Sequence, residues 1–106
     1  MAGSNPYQVQ FTPSAADDVQ EIVDDLVAKK PQIAFTWSEE LRQAKTYIAD
    51  NPFLYQEVFL FLRRAPLRRS GYNVFYAVDE INHIVEIIAV FHQKSDPDRL
   101  RERLNL

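Results

Sequence analysis

Apolar positions along the chain change their period twice, and the changes mark the elements. Tyr7, Val9 and Phe11 alternate with Gln8 and Gln10, the period of two expected of a strand with one buried face. Thr12-Pro13 then reads as a helix N-cap followed by proline at the first helical position. Val19, Ile22, Val23, Leu26 and Val27 follow at three- and four-residue spacing, which predicts an amphipathic helix. Asp17 and Asp18 near its start and Lys29 and Lys30 at its end suit the helix dipole. Pro31 stops this helix or opens the next, in which Ala34, Trp37, Leu41, Ala44 and Ile48 repeat every three or four residues. The second helix ends by Asp50-Asn51-Pro52, because a residue before proline avoids helical geometry. Two helices joined across Lys30-Pro31 form an antiparallel helical hairpin.

The rest of the chain reads as β. Val58 to Arg64 is apolar and aromatic on both faces, as in an interior strand. Tyr72 to Asp79 places Tyr72, Val74, Tyr76 and Val78 on one face, and residues 79–82 form a turn. His83 to His92 is the stretch richest in β-branched residues and is expected at the sheet centre, with Ile84, Glu86, Ile88, Val90 and His92 sharing one face. After Asp96-Pro97, Arg99 to Leu104 can form a short basic helix. The expected fold is α+β in the order β-α-α-β-β-β, with the helical hairpin on one face of an antiparallel sheet and a short C-terminal helix. The opposite face is left less covered and open to a site or a partner.

Length and composition narrow the picture. The 106 residues suit one domain spanning 1–106. Core area is expected from Tyr7, Phe11, Phe35, Trp37, Tyr47, Phe53, Phe59, Phe61, Phe75 and Phe91. With no cysteine there is no disulfide framework, thiolate metal site or cysteine nucleophile, which suits a reducing cytoplasm. Met1 to Pro6 lacks the basic and apolar regions of a signal peptide, and no apolar run approaches the ~18 residues that span a membrane. Net charge is −3, but it is unevenly placed. Residues 1–57 carry nine acids against four bases, whereas residues 58–106 carry six acids against eight bases. Four of those eight bases are Arg63, Arg64, Arg68 and Arg69, grouped around Pro66.

Three stretches carry a resemblance. Residues 7–18, Tyr-Gln-Val-Gln-Phe-Thr-Pro-Ser-Ala-Ala-Asp-Asp, are similar to the first strand and helix start of the RelE/ParE toxins. Leu62-Arg63-Arg64-Ala65-Pro66-Leu67-Arg68-Arg69, with Tyr72-Asn73-Val74-Phe75-Tyr76-Ala77-Val78, resembles their central hairpin, and residues 88–97 resemble their last strand and its exit. The resemblance implies two helices packed on an antiparallel sheet and a small cognate antitoxin wrapped around the toxin in a hetero-oligomer. ParE-like members poison DNA gyrase by binding it. RelE-like members instead cut messenger RNA on the ribosome, from basic and polar side chains on the sheet's concave face. A domain of this fold that has lost toxicity and only binds a partner is a third class.

The candidate residues follow. His92 matches the position where some RelE-like nucleases carry a histidine, so it is catalytic if the chain is RelE-like; otherwise it is a strand-end histidine bonded to backbone. Against a nuclease, Asn73 and Gln93 stand where those enzymes tend to carry an arginine and an aromatic residue, and a neutral amide cannot offset phosphorane charge as a guanidinium does. Whether the chain is an enzyme is therefore open, and the reading leans toward protein binding. Arg63, Arg64, Arg68 and Arg69 are candidates for target or antitoxin binding, or else Arg63 and Arg64 pair with Glu57, Glu86 or Asp79. Alternation sends Arg63 and Arg64 to opposite faces. Tyr72 and Tyr76 join the candidate binding set, although an aromatic–aliphatic stripe is more often core. Lys94 is a further candidate and can pair with Asp96 at the sheet exit. The carboxylates of Asp17, Asp18, Glu21, Asp24 and Asp25 read as a solvated helix face and not a metal site, and no cofactor is expected.

Overall fold

Thr12 makes the transition from strand to helix in the computed structural model, which describes residues 5–106. Its backbone is extended and its hydroxyl accepts from the Ala15 N–H at 3.1 Å, so Pro13 can open helix α1, Pro13–Lys29. The preceding strand β1 is Gln8–Phe11. Lys30 ends α1 and Pro31 opens α2, Pro31–Asp50, so the two helices double back as an antiparallel pair. Lys29 lies in the last turn of α1, but the first turn holds no acid; Asp17 and Asp18 come one turn later, too far in to serve the dipole. Met1 to Ser4, the start of the segment read as lacking a signal peptide, lies outside the described residues.

Four strands follow, one more than the patterning predicts. Val58 to Arg64 is not one interior strand: it is a hairpin between β2, Glu57–Phe59, and β3, Leu62–Leu67. Leu60 turns the chain with φ of 54°, and apolar residues on both faces here reflect a tip whose Leu60 and Phe61 point to solvent. β4, Tyr72–Asp79, and β5, Ile84–His92, complete one sheet in the order β1-β5-β4-β3-β2. β1 joins β5 in parallel and all other pairs are antiparallel. β5 is interior, with neighbours on both sides, while β4 holds the central place. Helix α3, Asp98–Arg103, closes the chain. Among the described residues no helix is long and apolar enough to cross a membrane.

A β-bulge corrects the expected face of β5. Phe75 pairs with Ala89 but Tyr76 pairs with Ile87, so Ile88 is an extra residue and the alternation flips across it. Ile84 and Glu86 therefore face away from the helical hairpin, whereas Val90 and His92 face toward it. The bulge keeps both Ile87 and Val90 in the main core, with Trp37, Leu41, Ile48, Val74, Tyr76 and Val85. Each large side chain so buried contributes about 1.5–3 kcal/mol. A second, smaller core lies on the other face, where Leu100 of α3 meets Leu62, Ala89 and Phe91. That face is thus partly covered by the chain's own C-terminus. Four rings expected in the core are instead exposed: Phe35, Tyr47, Phe53 and Phe61 lie on the outer helix faces and around the β2–β3 hairpin.

Candidate functional site

β1 is shorter than β5, so the last residues of β5 have no strand on that edge, and their main-chain groups need other partners. One main-chain N–H and two side chains supply them. The Thr12 N–H donates to the Ile87 carbonyl at 3.0 Å, Asp18 Oδ2 accepts from the Val90 N–H at 3.0 Å, and Arg103 Nη1 donates to the Ile88 carbonyl at 2.8 Å. Arg103 and Asp18 also bind each other through two hydrogen bonds, at 2.9 and 2.8 Å. Asp18 is buried, which corrects its reading as part of a solvated carboxylate face. The signal was present: position 18 falls three residues after Ala15 and four before Ile22, on the apolar stripe of α1. Among the described residues no acidic group assembles a metal site.

The four arginines have separate fates. Arg63 lies on the hairpin-facing side of β3, donates to the Tyr55 carbonyl at 2.6 Å, stacks over Phe53 at 5.1 Å and approaches Glu57 at 3.9 Å. It ties the 52–57 segment to the sheet and is structural; Glu86 and Asp79 are not its partners. Arg64 points to the other face, exposed, with no ion pair or hydrogen bond to its guanidinium among the described residues. Arg68 and Arg69 are exposed on the β3–β4 turn, and neither guanidinium has an ion-pair or hydrogen-bond partner among the described residues. The turn itself is held from below. Glu40 of α2 accepts the Arg69 and Ser70 N–H groups at 2.7 and 2.8 Å and the Ser70 hydroxyl, and Gly71 completes the turn with φ of 82°. Glu40 was not singled out by sequence, because nothing local announces a partner 30 residues away.

Tyr76 has no exposed surface and donates its hydroxyl to the Pro52 carbonyl at 2.7 Å, so it is a core residue that a partner cannot touch. Burial pushes its phenol up to about 12, with the Arg63 charge opposing part of the rise. Tyr72 is half-buried between Trp37 and His92, both edge-on to its ring, at 6.1 and 5.0 Å. Burial raises its phenol, and the charge of Asp25 adds to this.

His92 ends β5, exposed, and borders depressions on both sides of the sheet. Its Nδ1 accepts the Lys94 N–H at 3.0 Å. A main-chain N–H can only donate, so the neutral ring carries its proton on Nε2. Its one lone pair is therefore occupied, and taking a proton from a substrate requires breaking that bond. Lys94 does not pair with Asp96: Asp96 Oδ1 accepts the Asp98 N–H at 2.9 Å just ahead of α3, while the Lys94 ammonium is exposed and has no ion-pair partner among the described residues. An exposed ion pair there gains little, whereas a helix start leaves main-chain donors to satisfy.

Two depressions flank this end of the sheet. One, of about 630 Å³, lies beside α1 and is rimmed by Glu21, Asp24, Asp25, Tyr72, His92 and Arg99. The other, of about 290 Å³, is a groove on the face away from the hairpin, with Phe59, Phe75, Phe91 and Leu100 in its apolar lining and Arg64, Asn73, Gln93 and Asp96 among its polar groups.

Comparison with known proteins matches this fold. A family model described as the ParE toxin of the type II toxin–antitoxin system, parDE, matches residues 9–97. None of the curated proteins matches the sequence. Among solved structures, a chain of the chromosomal ParDE system from P. aeruginosa superposes with a TM-score of 0.68 at 16% identity, covering 84% of this chain and 98% of that one. A mutant of the E. coli toxin RelE in the free state gives 0.67 at 17% identity, covering 93% and 95%. The RelBE2 toxin–antitoxin complex from Mycobacterium tuberculosis gives 0.61 at 22% identity, covering 86% and 95%. At such identities these structures establish the shared fold.

Proposed function

The chain belongs to the ParE toxin family of type II toxin–antitoxin systems, and from that premise we propose that it inhibits bacterial growth in the cytoplasm by binding a protein target, DNA gyrase by resemblance, and is neutralised by a cognate antitoxin. The observation that carries the protein-binding reading is the state of His92. RNA cleavage of the RelE kind needs a free base, an acid and cations on the phosphate. Here the histidine lone pair is held by the Lys94 N–H, Asn73 is neutral, and Arg64 is the one arginine that β3 presents to the far face. Ribosome binders also offset dense phosphate charge, with ~6–10 contacts in a typical nucleic-acid site, whereas this chain carries −3. The exposed Arg68 and Arg69, raised on a turn that Glu40 braces, suit contact with an acidic protein surface.

An antitoxin partner is supported by the neighbours of this fold: the ParDE and RelBE2 structures are toxin–antitoxin systems. Exposed Phe53, Leu54, Val58, Leu60 and Phe61 offer apolar area beside the edge strand β2, where a partner strand or helix can dock. Purified chain is to be assayed for inhibition of gyrase supercoiling and, in parallel, for ribosome-dependent messenger RNA cleavage. Inhibited supercoiling without cleavage is the expected result; cleavage without inhibition makes the chain a RelE-like nuclease, and neither makes it a non-toxic binding domain. A binding antitoxin at ~100 times its Kd raises stability by about 2.7 kcal/mol, so co-expression with the neighbouring small open reading frame is expected to raise the melting temperature.

A further inference from the structure

We propose that a third depression, between the α1–α2 junction and the start of β4, binds a small phosphate monoester. Neither a protein target nor an antitoxin enters its chemistry, so it stands apart from the toxin reading above. The depression holds about 350 Å³. Its polar wall is Lys29 and Lys30 on one side and Ser70, Tyr72 and His92 on the other, while Leu26 and Ile33 supply apolar surface. Asp25 is the one acid in the lining.

Donors outnumber acceptors there. Asp25 is met by Lys29 at 2.7 Å, and the exposed Lys30 ammonium has no ion-pair partner among the described residues. With Asp25 counted as fully charged, two lysines against one aspartate still leave the lining positive, in a chain that carries −3. Glu40 lies beyond the lining, and Arg68 and Arg69 on the turn that it braces outnumber it. His92 adds a neutral donor. Its Nδ1 accepts the Lys94 N–H, so the proton on Nε2 is left without an acceptor among the described residues. Nε2 lies beside Gly71, 3.8 Å from where a Cβ would stand, and no side chain shields it there. Burial and the Asp25 charge raise the Tyr72 phenol, so it too stays a donor at neutral pH. Behind it, Trp37 stands edge-on at 6.1 Å and holds the one buried side-chain N–H that lacks a hydrogen-bond partner among the described residues. Buried donors are seldom left so.

The kind of donor selects the ligand. A planar carboxylate is best held by the fork of an arginine, and no arginine lines the depression. An ammonium binds phosphate as a point charge, and donors from separate segments suit the several directions of a tetrahedral oxyanion. A bare phosphate fills only part of the space, which leaves the apolar surface of Leu26 and Ile33 for the ester group.

The test titrates the full, isotope-labelled chain with inorganic phosphate, phenyl phosphate and phthalate, an aromatic dianion without phosphorus, at an ionic strength held constant with sodium chloride. Chemical shifts give both place and affinity. Phenyl phosphate is expected to move the amides of Lys30, Ser70 and Gly71, the His92 ring Nε2–H and the Trp37 indole N–H, and to saturate. Trp37 is the only tryptophan, so its indole signal is unambiguous. Inorganic phosphate is expected to bind less tightly, and phthalate least. Lys30→Glu is expected to weaken phenyl phosphate at least about tenfold, as loss of a charge-assisted hydrogen bond does, while Lys30→Arg keeps most of the affinity. Arg101→Ala, which removes an exposed charge from α3, is expected to change nothing. Movement that never saturates is screening alone and overturns the proposal. So do shifts confined elsewhere, equal binding of phthalate, inorganic phosphate bound as tightly as phenyl phosphate, or equal losses in Lys30→Glu and Arg101→Ala.

Discussion

Asp18 and Arg103, 85 residues apart, close the open edge of β5 with a two-point ion pair at 2.8 and 2.9 Å while each also binds that strand's main chain. The pair does the work of a sixth strand with two side chains. It fastens the C-terminal helix to α1 and satisfies edge groups that would otherwise be open to another chain.

Removing one partner leaves a buried charge uncompensated, which costs ~3–5 kcal/mol in buried pairs. Arg103 keeps 19% of its side-chain surface, so the low end applies. Asp18→Ala is expected to lower stability by about 3 kcal/mol, which at ~4–8 °C per kcal/mol for a domain of this size is a fall of more than 10 °C in melting temperature. Arg103→Met in the Asp18→Ala background is expected to cost little more, and a double-mutant cycle by thermal unfolding checks it. Fully additive losses would show that the two residues act independently.

Alkaline pH is expected to destabilise the fold through Tyr76. Its folded phenol is pushed up to about 12, above the unfolded value near 10. The folded state then holds a proton the unfolded state releases, so its stabilisation is intact below about pH 10 and lost between about 10 and 12. Two units correspond to at most about 2–3 kcal/mol. Tyr76→Phe loses the hydrogen bond to Pro52 but is expected to flatten the decline across that window. Denaturant unfolding from pH 9 to 12 measures it, and an equal slope in both proteins refutes the assignment.

His92→Ala is expected to leave growth inhibition within about threefold of the parent, because binding requires no proton transfer. It gives up the Lys94 N–H bond and the edge contact with Tyr72, for a stability loss of about 1 kcal/mol. Plating efficiency under induced expression, with circular dichroism to verify folding, is the check. Loss of toxicity together with loss of RNA cleavage in a folded variant would establish the nuclease instead.

Arg68→Ala/Arg69→Ala and Glu40→Ala are expected to fail in opposite ways. The two guanidiniums are exposed and have no partner among the described residues, and exposed charges contribute ~0–1 kcal/mol to folding; the double variant keeps its melting temperature within a few degrees but loses target or antitoxin affinity. Glu40 instead holds the turn by three hydrogen bonds, two from its main chain and one from the Ser70 hydroxyl. Its loss costs about 1.5–3 kcal/mol, as for bonds to a charged group, and weakens binding only through the displaced turn. Calorimetric melting beside binding isotherms separates the two, and a double variant that unfolds would make the arginines scaffold.

What the sequence determined by itself is whatever a short window encodes. The alternation of Tyr7, Val9 and Phe11, the Thr12-Pro13 cap, the stripe from Val19 to Val27 and the proline boundaries at Pro31 and Pro52 each specify local backbone, and the elements formed there. The opposite faces of Arg63 and Arg64 followed from strand alternation in the same way. Tertiary structure decided everything that depends on a distant partner. Val58 to Arg64 split into two strands because Leu60 turned. Ile88 became a bulge because Ile87 and Val90 both had to reach one core. The same dependence sorted the charges: Asp18 was drawn into the interior by Arg103, and Arg63 was consumed by Tyr55 while Arg64 was left free. Periodicity reports which face a residue shares with its near neighbours. Which element covers that face, and which buried charge meets which, depends on how strands far apart in sequence are ordered in the sheet, and no local pattern carries that order.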